Sequence, residues 1–382
     1  MKEMMTPQER MDKAINLEVP DRVPLFPLVL LFSARHTKVS IEEFMVDKEA
    51  NHWASRKTFQ DFGGWDAIFP TRGFDYMGIG ALMGMKVKFP GKELPSDTPY
   101  QTLEEPILTP EDYNTLAEKG WAHMAPEILC RIRPGDLPPG TEGIEKAKEA
   151  LEEVAANYIR DVALWKQEGV DPMFGGAIMT PFNKLSLMRS MEECVVDMYR
   201  RPQQLLDALE ALTEGFIEEG RKMVQATGIK RVFIADHRSP GNMLSLKFFE
   251  KFSLPFLKRT VEAFAKEDII SILHCDSDWT KNLPYMRELP PKKCVFMLDG
   301  YTDIFKAKEV LGNHMCIMGD VHASLLTLGH PEEVDAYVRK LIDTVGKDGG
   351  FILSTGCELP PNCKEENFQM MLDTAKSYGV YF

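Results

Sequence analysis

Two apolar runs in this chain end in residues that can bind a soft or borderline metal ion. "SILHCDSDW" (271–279) delivers His274, Cys275 and Asp276, and "FILSTGCELPP" (351–361) delivers Cys357 with Glu358 beside it. Imidazole, thiolate and carboxylate are donors that zinc accepts, and a catalytic zinc site keeps one coordination position for water or substrate. The long separation of His274 and Cys357 is unlike the close pairs of a zinc finger and suits ligands from two strands of one sheet. On a strand, residues two apart share a face, so Asp276 points with His274 while Cys275 points away. A loop conformation at that point would instead turn Cys275 inward. Cys316, inside its own apolar run, reads as core, and Cys363 and Glu358 remain reserves for a further ligand.

The elements that must carry these residues recur along the chain. Short runs rich in Val, Ile, Leu and Phe occupy 22–30, 65–71, 171–179, 231–237, 268–276, 294–300, 315–321 and 349–357. Continuous apolar strands are buried on both faces, and in alternation with helices they predict a parallel sheet. Amphipathic patterns at 143–169, 201–228 and 330–349 supply such helices, with Gly228 and Gly349 placed as C-terminal caps. The prediction is an α/β protein, a (β/α)8 barrel formed as one domain over 1–382, with an insertion in the Pro- and Gly-rich stretch 72–142. In a barrel the C-terminal strand ends meet at one mouth, which would gather His274, Asp276, Asp299, Asp320 and Cys357. Taken singly, each of these also fits a hydrogen-bonded core or loop residue. "ADHRSPG" (235–241) likewise fits a strand end closed by its own loop. Convergence favours the functional reading.

A net charge of −13 opposes non-specific attraction to nucleic acid or an anionic membrane. The longest apolar run, "VPLFPLVLLF" (23–32), holds two prolines and falls short of the roughly 20 residues needed to span a bilayer. The charged N-terminus lacks a signal-peptide core, and 7 scattered cysteines are an odd number, unlike a disulfide framework, so a cytoplasmic protein with reduced thiols is expected. No P-loop, G-x-S-x-G elbow, H-E-x-x-H helix or EF-hand loop is present.

Five stretches resemble the uroporphyrinogen decarboxylase superfamily. They are "MTPQERMDKAINLEVPDRVPLFP" (5–27), "GGAIMTPFNKLSLMRSMEECVVDMYRRPQQL" (175–205), "SLKFFEKFSLPFLKR" (245–259), "VFMLDGYTDIFKAKEVLGNHMCIMGDVHASLLTLGHPEEV" (295–334) and "GGFILSTGCELPPNCKEEN" (349–367). The resemblance implies the barrel and, within the superfamily, the corrinoid-dependent methyltransferase branch. The arginine-rich N-terminal stretch of true decarboxylases is replaced by "LLFSARHTKVSIEEF" (30–44), where Arg35 alone remains. Cys357 stands where decarboxylases tend to carry histidine. The methyl-transferring relatives, such as methanol and methylamine coenzyme M methyltransferases, carry His-x-Cys on one strand end and Cys on the last, binding zinc.

Carried over, His274 and Cys357 match that motif, and Asp276 replaces its middle cysteine. A carboxylate is a harder ligand than thiolate and leaves zinc a stronger Lewis acid, which weakens the likeness to a thiol-activating coenzyme M enzyme and leaves room for an oxygen or nitrogen methyl donor, within an expected substrate range of methoxyl, amine or thiol compounds. The resemblance further implies transfer of the methyl group to or from the cobalt of a corrinoid (cobalamin). Asp236, His237, Arg238, Asp299 and His322 are candidates to position substrate or relay a proton. The Asp-x-His-x-x-Gly corrinoid motif is absent, since "DVHASL" (320–325) lacks its glycine, so a separate corrinoid protein is implied as partner. The rival readings are a metal-free porphyrinogen-type decarboxylase and, more distantly, a non-catalytic module that binds a corrinoid protein.

Overall fold

The computed structural model describes residues 4–381. Its centre is a six-stranded parallel sheet with strands adjacent in chain order. An antiparallel pair, β1 (Lys86–Lys88) and β2 (Gln101–Leu103), lies outside it. The parallel strands are β3 (Gly176–Met179), β4 (Arg231–Asp236), β5 (Ile270–Cys275), β6 (Cys294–Leu298), β7 (Cys316–Val321) and β8 (Phe351–Thr355). These are six of the eight expected runs.

The first two runs differ from expectation. Residues 22–30 and 65–71 form isolated bridges rather than ladders, Leu25 with Leu353 and Ile68 with Pro172. In the first run prolines supply the reason: Pro24 and Pro27 have no N–H to donate, so pairing survives only at intervening residues. Phe26 N–H donates to Leu353 O and Leu353 N–H to Pro24 O, both at 2.9 Å. Between the two runs, Asp66 N–H donates to Leu25 O, while Leu25 N–H donates to the Asp66 carboxylate at 2.8 Å. A side chain thus replaces a ladder rung. Arg10 and Arg22 bind the same carboxylate in a buried network with Asp21, which ties the first helix, Pro7–Ile15, to both runs.

Alternation along the strands divides the core. Phe233, Ala235, Ile272, Val295, Met297, Met318 and Ile352 belong to a cluster inside the barrel. Val232, Ile234, Leu273, Phe296, Leu298, Ile317 and Leu353 face the surrounding helices. The expected helices are Thr141–Gln167, Pro202–Thr227 and Pro331–Leu341. Gly228 ends the second with φ 70°, the left-handed cap that glycine adopts without a Cβ clash. The insertion contributes β1 and β2 with the helices Tyr76–Met83, Pro110–Lys119 and Trp121–Ile132.

Candidate metal centre

The parity of β5 determines what reaches the mouth. Ile272 lines the barrel interior, so His274 and Asp276 follow on the same face, whereas Leu273 and Cys275 pack outward. Cys275 is therefore core. Cys316 is fully buried at the start of β7 with Sγ near Ile317 O, and Cys363 donates to Leu326 O, so neither joins the group.

Cys357 sits in the turn beyond β8. Thr355 Oγ1 donates to Cys357 O at 2.7 Å, and Leu359 N–H donates to Leu28 O at 2.8 Å, which fixes the turn from both sides. Gly356 is required by close approach: a Cβ there would lie 2.2 Å from Asp299 O. The end of β8 can thus press against the residue that follows β6.

His274 Nε2 lies 3.1 Å from Asp276 Oδ1 and 3.7 Å from Cys357 Sγ. His237 joins them with Nε2 3.4 Å from Asp276 Oδ2, and donor atoms of His237, His274 and Asp276 all fall within 4.8 Å of one another. Donors on a tetrahedral zinc, at about 2.0 Å for nitrogen or oxygen and about 2.3 Å for sulfur, are separated by about 3.3 Å (N/O) and about 3.5 Å (N/S). The spacing of His274 with Asp276 and Cys357 agrees with both. Asp276 Oδ1 is buried without a hydrogen-bond partner, because its approach to the imidazole is not aligned as a hydrogen bond. An orphaned oxygen, a converging nitrogen and a thiol fit a cation between them. His274 Nδ1 is also without a partner, and the Phe233 ring, stacked 5.1 Å away centre to centre, holds the imidazole by packing.

The electrostatics follow from burial and pairing. Burial disfavours the imidazolium of His274, but Asp276 and then Cys357 outweigh it and hold the imidazole well above its ordinary value. Burial likewise raises the Asp276 carboxyl, and His274 overrides that and draws it down to about 2. The His237 imidazole is pushed down by burial, against the pull of Asp276.

The other expected residues occupy the strand ends but bind to the scaffold. Asp236 accepts hydrogen bonds from Thr180 Oγ1 (2.8 Å), Ser239 Oγ (2.7 Å) and the N–H groups of Arg238 and Ser239, closing its own loop. Arg238 forms a bidentate pair with Glu104 of the insertion. Asp299 accepts the N–H groups of Ser277 (2.7 Å) and Tyr301 (3.0 Å), and burial raises its carboxyl. His322 caps the helix Ala323–Leu328 by accepting Ser324 N–H at 3.1 Å. Of the five, His237 alone enters the donor group.

Sequence reasoning passed over Glu104 and Tyr100. Tyr100 shares a small void with Glu358, whose carboxylate accepts Leu31 N–H at 3.0 Å and is raised to about 7 by burial. No local pattern announces either residue, since both lie in the irregular insertion and meet partners more than a hundred residues away.

The geometry can be set beside known proteins. The chain matches the family model described as uroporphyrinogen decarboxylase over residues 6–378. It is 24% identical over 262 residues to methylcobamide:CoM methyltransferase MtbA of Methanosarcina mazei, covering 65% of this chain and 75% of that protein. To the uroporphyrinogen decarboxylase of Syntrophotalea carbinolica it is 26% identical over 178 residues, 46% of this chain and 49% of that one. A solved methyltransferase from Methanosarcina mazei superposes with a TM-score of 0.69 at 17% identity, covering 98% of this chain and 99% of that chain. That likeness establishes the barrel fold, and the chain belongs to the uroporphyrinogen decarboxylase family.

Proposed function

We propose that this protein is a methyltransferase that moves a methyl group between a small methoxyl, amine or thiol compound and the cobalt of a corrinoid carried by a separate protein. Zinc held by His274, Asp276 and Cys357 is its cofactor. The supporting observation is the convergence of an imidazole, a carboxylate with an orphaned oxygen and a thiol at one strand-end cluster. The relatives include methyltransferases and decarboxylases at similar identity, so the site must decide between them. A decarboxylase needs cations for substrate carboxylates. Here Arg35 is exposed on the helix Leu31–Thr37 and Arg238 is committed to Glu104.

When bound, zinc supplies Lewis-acid stabilisation of the alkoxide, phenolate or thiolate that parts from or attacks the methyl group. His274 provides Nε2, and the Phe233 stack fixes the plane of its ring. Cys357 provides a thiolate, and Asp276 a second negative charge of harder character. His237, partly exposed and beside Asp276, is placed to hold or accept a proton at Nε2 near the substrate heteroatom. Asp299 keeps the turn containing Ser277 closed over the end of β5.

Methylcobalamin, used as a surrogate for the partner-bound corrinoid, tests the reading through loss of its methyl–cobalt absorbance with a panel of thiol, phenol and amine acceptors, and through the reverse reaction with methylated donors and reduced cobalamin. Transfer that is abolished in His274→Ala and Cys357→Ala together with bound zinc supports it. Full transfer by zinc-free protein contradicts it.

A further inference from the structure

The barrel seam is open on one side. Beyond the Ile68–Pro172 bridge, no ladder joins the 65–74 segment to β3, and a cavity of about 350 Å³ occupies the space. Phe74 and Met179 border it from the barrel, and Val154 and Tyr158 from the helix Thr141–Gln167. None of His237, His274, Asp276 or Cys357 lines it, so it is separate from the metal centre.

One wall of this apolar cavity carries a buried cation. Lys184 is 3% exposed, and its Nζ donates to Ala81 O at 2.5 Å and Leu82 O at 2.6 Å, at the C-terminal end of the helix Tyr76–Met83. It lies 5.5 Å from the centre of the Trp121 ring. Among the described residues it has no carboxylate ion pair and no third hydrogen-bond partner, although an ammonium carries three donors. Glu219, also on the wall, accepts Trp121 Nε1–H at 2.6 Å and acts on the lysine by charge without hydrogen-bonding to it. Capping the helix end accounts for two of the donors. It leaves the third donor unused beside an apolar void, with Glu219 acting on the ammonium only at longer range, an arrangement that burial penalises. Consistent with this, burial pushes the Lys184 amine down to about 7.

We propose that this seam cavity binds a small amphipathic carboxylate, an aliphatic or aromatic acid whose apolar body fills the cavity and whose carboxylate pairs with the Lys184 ammonium. The volume falls within the range of small-molecule sites, about 300–1,000 Å³. The anion gives the third ammonium donor a direct partner and the body covers the apolar walls, so both halves of the ligand gain.

The test is calorimetric titration of the intact protein with octanoate and with octanol. Octanoate should bind one molecule per chain, at least about tenfold tighter than octanol, as expected for a hydrogen bond to a charged group. Lys184→Met should erase that preference while octanol still binds. Ala155→Phe fills the cavity and leaves the lysine in place, so it should weaken both ligands at least tenfold. It also keeps the test decisive should Lys184→Met fail to fold. Octanoate that binds no tighter than octanol, that binds at several sites, or that binds Ala155→Phe unchanged would overturn the proposal.

Discussion

His274 and Cys357 are separated by 83 residues of chain and by 3.7 Å in space, Nε2 to Sγ. Neither strand could achieve this alone. β5 offers His274 to the mouth because of its parity, and the turn after β8 returns Cys357 to it because Gly356 permits contact with the Asp299 backbone.

That dependence on Gly356 predicts a specific lesion. Gly356→Ala places a methyl group against Asp299 O and must displace the turn, so bound zinc should fall by more than about tenfold in affinity even though no ligand has been altered. Competition with a metallochromic chelator measures this; unchanged zinc affinity would show that the turn does not set the position of Cys357.

Thiol chemistry offers a second check. A zinc-bound thiolate is shielded, whereas a free cysteine on the half-buried turn is accessible. Zinc-loaded protein should resist iodoacetamide at Cys357, and chelator-treated protein should be alkylated there, read by peptide mass. The fully buried Cys194, Cys294 and Cys316, whose thiols burial raises, should stay unreacted in both states.

Much of the site was legible because it depends on short-range rules. Alternation places Asp276 with His274 and turns Cys275 into the core, as the structure shows. The run at 22–30 is broken because apolar composition ignores missing donors at Pro24 and Pro27. The partners of Arg238 and His322 are invisible in sequence: one is held by Glu104 across the insertion, the other caps a helix. The 71–85 segment sends Phe74, Ala81 and Leu82 to the lateral cavity, since the open seam beside β3 leaves an apolar surface to cover.

The network under the barrel sets acid stability. Burial opposes the Asp21 carboxylate, but hydrogen bonds from Arg10 and from the Met4 and Met5 N–H groups hold it well below the usual carboxylate range. A depressed carboxyl contributes stability that is present above its unfolded value, about 3.9, and is lost as pH falls below it. Arg10→Met should cost about 3–5 kcal/mol at neutral pH, because it takes the guanidinium from buried Asp21 and removes one of the two that Asp66 shares with Arg22. It should also flatten the loss of stability in acid. Urea denaturation from pH 7 down to pH 3 tests both points, and a loss under about 1 kcal/mol would refute the role.

Asp320 should act with the opposite sign. Burial raises its carboxyl to about 7, against the hydrogen bond that Tyr337 Oη donates to Oδ1 at 2.8 Å. A raised carboxyl binds a proton in the folded state that the unfolded chain has released, so its contribution to stability declines as pH rises from about 4 to about 7. Asp320→Asn keeps the shape and the acceptor, and should remove that decline. Equal pH slopes for the two proteins would contradict it.

X-ray absorption at the zinc edge on purified protein, with metal content measured on the same sample, reaches the central claim most directly. The expected result is one zinc per chain with a single sulfur neighbour and the remaining neighbours nitrogen or oxygen, the sulfur lost in Cys357→Ser and the metal lost in His274→Ala. Zinc-free protein after expression in zinc-replete medium and purification without chelators, or bound zinc whose spectrum and content do not change when Cys357 and His274 are replaced, would contradict it.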